Sequence, residues 1–234
     1  MENCTTLKTL LTACCIVVIA SGCRRVVEPE SYDIWLPEIF KEIFLVQPGS
    51  YWVMDDIGTG EQYRDSIYVI ETNHDTVEII NPGTQEGFAL KERFEVKIFS
   101  PFYGRVYRIA TEALDLCGDL NFNEPCQFVV FESYLNDELE GRSRIYFHPD
   151  NEGDEWSVAQ SGLSEPKVRI NQIIPSYTLG GNTFHDVREI VVERDRSMQN
   201  RPSVRYISLE AGIIQWIIPG QGINWIAVRY NIER

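Results

Sequence analysis

From Gly49 to the C-terminus the chain reads as short runs with a period of two, and no stretch sustains a helical period. SYWVM, DSIYVIE, TVEII, EVKIF, RVYRIA, QFVVFESY, RSRIYF, VRINQII, VREIVVE, VRYISL, GIIQWII and NWIAVRYNI are rich in Val, Ile, Tyr and Phe, the side chains that suit a pleated surface. The turn-forming stretches DDIGTGE, NPGTQEG, SPFYG, DELEG, HPDNEGDE, LGGN and PGQG separate them. Such spacing predicts one mainly β, antiparallel domain over residues 49–234, either a curved sheet or half-barrel or a sandwich. In the last strand Ile226, Val228, Tyr230 and Ile232 are expected on one face, with Ala227, Arg229 and Asn231 on the other.

Upstream of this pattern, Pro37 opens a segment in which Ile39, Phe40, Ile43 and Phe44 share one helical face, predicting one short helix. Residues 24–33, RRVVEPESYD, are polar and read as a tether, so residues 23–48 form a tether plus helix.

The N-terminus has a different character. Leu10 to Ala20 is an apolar run of 11 residues, too short for the roughly 20 that a spanning helix needs but the length of a signal-peptide core. It ends in Ala20-Ser21-Gly22-Cys23, which resembles the lipobox of bacterial lipoproteins, with Ala20 where Leu is commoner. The resemblance implies cleavage after residue 22 and acylation of Cys23; a plain signal peptide or a short N-terminal helix are the alternatives. Lipid would then be the membrane partner, each buried CH₂ contributing about 0.8 kcal/mol.

Charge narrows the function classes. The chain has 21 Lys and Arg against 35 Asp and Glu, a net charge of −14. Removing residues 1–22 deletes one residue of each sign and leaves that balance unchanged. Nucleic-acid binding needs basic side chains against phosphates, so no nucleic-acid partner is expected.

Of six cysteines, Cys4, Cys14 and Cys15 lie in the leader and Cys23 is the acylation site. Cys117 and Cys126 remain, and an even remainder in an exported chain reads as one disulfide. A metal site and two free buried thiols are the alternatives; the spacing, with no His nearby, fits no zinc pattern well.

A second resemblance rests on the strands. Tyr51-Trp52-Val53, Gly181-x-Thr183-Phe184-x-Asp186-Val187, Tyr206 through Ile214, and Trp225 through Ile232 are similar to four recurrent motifs of a group of Bacteroidetes-type lipoproteins. It covers both ends of the domain and not the Cys117–Cys126 middle, and it implies an envelope lipoprotein, outer-membrane or periplasmic, with no assigned chemistry. Asp65-Ser66-Ile67 and Asp75-Thr76-Val77 resemble the acceptor of the O-glycosylation system of such exported proteins, with Ser66 and Thr76 as acceptors. Ordinary β composition is the competing explanation.

Catalytic signals are weak. His74, His148 and His185 occupy unrelated contexts; G-x-S-x-G, the P-loop and H-E-x-x-H do not occur. Asp150, Glu152, Asp154 and Glu155 crowd one stretch but miss the calcium-loop spacing, so a solvated turn is expected; Asp115, Asp119, Asn121 and Asn123 form a similar stretch. Trp156, Trp216 and Trp225 are candidates for a sugar-binding surface, with core packing as the default. No catalytic residue, metal or cofactor is expected. The functional expectation is a non-enzymatic binding or assembly module with an envelope protein or glycan partner. A carrier of an apolar ligand in a half-barrel is the alternative, and a carbohydrate-active accessory protein or hydrolase the third reading.

Overall fold

The computed structural model describes residues 33–60, 63–80, 88–114, 126–148, 151–156, 159–160, 163–164, 167–198 and 200–234. Cys23 and Cys117 lie outside these residues, as does the Asp115–Asn123 stretch. One helix, α1 (Glu38–Phe44), precedes β1 (Tyr51–Asp56), β2 (Tyr63–Ile80), β3 (Phe88–Ser100), β4 (Arg105–Leu114), β5 (Cys126–Leu135) and β6 (Glu138–His148). Two-residue β7 (Glu155–Trp156), β8 (Ala159–Gln160) and β9 (Leu163–Ser164) follow, then β10 (Val168–Leu179), β11 (Asn182–Asp195), β12 (Arg201–Ser208), β13 (Gly212–Ile218) and β14 (Ile223–Asn231). Among the described residues no helix is long and apolar enough to cross a membrane.

Twelve strands form one antiparallel sheet in the order β6-β5-β4-β3-β2-β1-β14-β13-β12-β11-β10-β7, curled into a nearly closed barrel; β8 and β9 pair separately. Between the half-barrel and the sandwich, the curled sheet is the outcome. Two meanders meet where β1 pairs with β14, Tyr51 opposite Asn231. The runs DSIYVIE and TVEII join into the single strand β2, which carries an irregularity beside Ile70.

The expected facing of β14 is corrected by a bulge. Val53 pairs with Arg229 and Met54 with Ala227, so Val228 has no partner of its own and the alternation changes phase there. Trp225 and Ala227 therefore face the core before the bulge, and Tyr230 and Ile232 pack against it afterwards. A one-residue slip exchanges the two faces, which strict alternation in the sequence does not register.

α1 closes one end of the barrel. Pro37 is its N-cap, and Phe40, Ile43 and Phe44 are buried as the helical spacing requires. Phe40 and Phe44 meet Tyr146 of β6 edge-on, at 5.7 and 5.6 Å between ring centroids. Buried Glu92 latches the preceding segment to β3: it accepts a hydrogen bond from the Leu36 amide at 2.8 Å and lies 2.8 Å from His74 Nε2. The tip of the long β10–β11 hairpin laps onto the neighbouring strands. There Tyr177 stacks on Tyr206 at 5.0 Å and donates to Gln215 Oε1 at 2.6 Å.

At the opposite rim, Asp56 holds the turn after β1 by accepting from the Gly58 amide (3.0 Å), Thr59 Oγ1 (2.8 Å) and the Asn224 amide (3.0 Å). A Cβ on Gly58 would sit 2.0 Å from the Gly222 carbonyl oxygen, whereas one on Gly220 would meet nothing within 4 Å. Gly58→Ala is therefore expected to lower the thermal midpoint clearly and Gly220→Ala to leave it nearly unchanged. Equal melting of the two variants by circular dichroism would contradict this packing.

Candidate functional site

The inward residues of the sheet do not fill the barrel. A chamber of about 200 Å³ runs from α1 to the far rim. Ile43, Phe44 and Trp52 form its closed end; Met54, Ile67, Ile98, Ile109, Phe131, Ile213 and Trp216 form its walls; Tyr103, Ile218, Gln221 and Trp225 surround its rim end. For comparison, an engineered apolar cavity of about 150 Å³ accepts benzene. The Trp52 indole is fixed by donating to the Ala211 carbonyl at 2.6 Å, which ties the closed end to the β12–β13 turn.

Polar groups touch the chamber at few points. Asp65, buried, accepts from Ser100 Oγ at 2.5 Å and from the Phe102 amide at 3.2 Å, so it caps the β3–β4 turn. Arg105 is paired with Glu140 at 2.7 Å. Tyr103 accepts from the Trp225 indole at 3.1 Å, and burial pushes the phenols of Tyr103 and Tyr107 above the ordinary tyrosine range, keeping both neutral. At the rim, Ile57, Tyr63, Phe102 and Tyr103 remain exposed. Phe102 contacts Tyr63, Tyr103 and Trp225 at 5.3, 4.9 and 5.5 Å between centroids, so an aromatic cluster borders the opening.

Behind the wall lies a buried ion pair. Arg205 and Asp195 are both fully buried and meet at 2.5 Å. Asp195 also accepts from Ser197 Oγ and Ser203 Oγ, at 2.5 and 2.6 Å. Burial pushes its carboxyl up, but the Arg205 charge and the serine hydroxyls outweigh that and hold it below the usual carboxylate range. The network lies beside the barrel seam, where Ser143 Oγ of β6 accepts from the Arg196 amide at 2.7 Å.

A second cleft, about 370 Å³, opens at this seam and is lined by Arg142, Arg144, Arg194 and Arg196. Arg142 lies 3.0 Å from Glu132, and Arg144 lies over the Phe128 and Trp156 rings. Arg142 and Arg144 are thus already engaged within the protein, and the apolar chamber is the better candidate site.

The residues singled out in the sequence are scattered. Ser66 and Thr76 are exposed on β2, opposite Val53 and Glu92. Their aspartates differ: Asp65 is buried in the turn cap, while Asp75 is exposed and paired with Arg93 at 2.7 Å. Of the stretch from Asp150 to Glu155, Asn151 to Asp154 make a turn in which the Asn151 side chain donates to Asp154 at 3.0 Å. His74 faces Glu92, and His185 is exposed on β11. Of the three tryptophans, Trp225 is core, Trp216 is chamber wall, and Trp156 packs on Phe128 at 3.8 Å between centroids. Arg205 and Asp195 stand in ordinary-looking strand contexts in the sequence; the single hint of them is a charge between Val204 and Tyr206 in an alternating run.

The four lipoprotein-like motifs fall on β1, the β10–β11 hairpin, β12–β13 and β14, where they build sheet and core. No family model matches the chain, and neither the curated proteins nor the solved structures contain a match.

Proposed function

We propose that this chain is a non-enzymatic binding module of the bacterial cell envelope, lipid-anchored at Cys23, which takes an apolar ligand into its barrel. The observation that carries the reading is the chamber between α1 and the rim, walled by Ile, Met, Phe and Trp side chains. Ligand sites in proteins are concavities of this sort, mostly apolar with a few placed polar groups. The buried rim carboxylates Asp56 and Asp65 are engaged in capping turns, which favours a binding role over hydrolysis. The exposed aromatic cluster at the opening supplies a contact surface for an envelope protein or glycan partner.

The test is direct. The fluorescence of N-phenyl-1-naphthylamine is expected to rise and shift blue on mixing with the purified domain. Ile213→Trp, which builds bulk into the chamber wall, should weaken that binding by about tenfold or more at a stability cost of about 1–3 kcal/mol. Unchanged probe binding in a folded Ile213→Trp protein would place the probe elsewhere and reject the reading.

A further inference from the structure

At one end of the chamber, the wall and the ion pair behind it hold hydrogen-bond donors with no acceptor among the described residues. Arg205 gives Nη2 to Asp195 Oδ2 at 2.5 Å and to Ser197 Oγ at 3.4 Å. Its Nε and Nη1, and the indole Nε1 of Trp216, are buried and have no hydrogen-bond acceptor among the described residues. The guanidinium lies over the Phe131 and Trp216 rings at 5.2 and 5.0 Å. Stacking on aromatic faces compensates part of its lost hydration. It leaves the Trp216 N–H without an acceptor. Phe131, Trp216 and Ser197, the groups that surround Arg205, are themselves chamber-lining residues. Buried donors normally find a partner, so the unpaired Trp216 N–H, on a residue of the chamber wall, marks the place where a ligand acceptor would fit.

The charge state decides what the other half is. Asp195 already balances Arg205, so the local net charge is zero. A carboxylate brought in from water would forfeit its hydration without meeting an unneutralised cation. A neutral carbonyl oxygen loses far less hydration and accepts an N–H equally well in geometry. Building on the apolar-ligand reading, we infer that the chamber selects an acyl ester or a similar neutral carbonyl compound, its apolar chain along the barrel and its carbonyl oxygen at the Trp216 indole. Trp216 Nε1 is covered, so the indole turns its N–H toward the chamber when it meets that oxygen.

Methyl decanoate, decanoate and 1-chlorodecane, compared as displacers of N-phenyl-1-naphthylamine at pH 8, separate the possibilities. Methyl decanoate is expected to displace the probe at about one tenth of the concentration needed for 1-chlorodecane, with decanoate the weaker of the two oxygen-bearing ligands. In a ¹H–¹⁵N spectrum the Trp216 indole proton should move downfield with methyl decanoate and not with 1-chlorodecane. Trp216→Phe removes the donor, keeps an aromatic wall and adds space to the chamber, so it should abolish the preference for the ester while retaining binding of 1-chlorodecane. Equal displacement by the ester and the chloride, an unmoved indole resonance, or decanoate binding ahead of the ester would each overturn the assignment while leaving the apolar chamber intact. Displacement by none of the three would overturn the chamber reading as well.

Discussion

Asp195→Ala is expected to destabilise the domain by about 3–5 kcal/mol, because it leaves Arg205 charged and unpaired in a fully buried position. For a chain of this size that corresponds to a fall in thermal midpoint of roughly 10 °C. The same substitution strips the acceptor from Ser197 and Ser203, whose hydroxyls then lack a partner beside the seam. Replacing both charges with apolar residues, Asp195→Leu with Arg205→Met, should recover much of the loss, since buried pairs are often matched by well-packed hydrophobic side chains. The pH dependence has a defined sign. The folded carboxyl is held below its ordinary value of 3.8, so its contribution is fully present above that value and disappears as pH falls through the depressed folded pKa. Asp195→Asn should therefore flatten the acid limb of a stability-versus-pH curve. A wild-type-like melting temperature for Asp195→Ala would show that the ion pair does not hold the seam.

Phe44→Ala gives the second large effect and separates stability from capacity. Phe44 is buried in the plug, touches Tyr146 edge-on and forms part of the closed end of the chamber. Truncation should cost about 3–5 kcal/mol, the usual range for deleting a buried phenyl ring. It also lengthens the chamber at its closed end. Guanidinium unfolding should thus show a weaker protein that nevertheless binds a longer chain, dodecanoate methyl ester, more tightly relative to methyl decanoate than the wild type does. Loss of stability with no change in chain-length preference would remove α1 from the ligand chamber.

Much of this architecture was legible in the sequence, because the period-two runs correspond to strands and the Gly-, Asp- and Asn-rich stretches to turns. The α1 helix was legible as well, since Phe40, Ile43 and Phe44 mark one face and Pro37 marks its start. Register was not. The bulge at Val228 exchanges the faces of β14, and an irregularity between Tyr206 and Ile207 does the same between β12 and β13. Arg205 shares its inward face with Ser203 and Ile207 by ordinary alternation, while Tyr206 points to the other side and is covered by Tyr177 from the β10–β11 hairpin. The chamber was invisible for a different reason. Whether inward side chains fill a barrel depends on the sum of volumes from strands far apart in sequence, and no local pattern encodes that sum. Asp56, by contrast, precedes turn residues and was open to an Asx-turn reading.

The pairing of β1 with β14 also sets an order of events in time. Residues 51 and 231 lie about 180 positions apart, and bringing such distant segments together carries a loop-closure cost of about 4–5 kcal/mol beyond a constant. Each meander can zip locally, hairpin by hairpin, but the two remain joined only through their connecting segment until the final nine-residue strand arrives. Closure is thus withheld from any incomplete chain, and the nascent polypeptide stays threadable up to its last strand. Once β14 docks, a single late step completes both the chamber and the wall that carries Trp225, so that refolding should be slow, single-phased in its tryptophan signal, and abolished by truncation before Ile223.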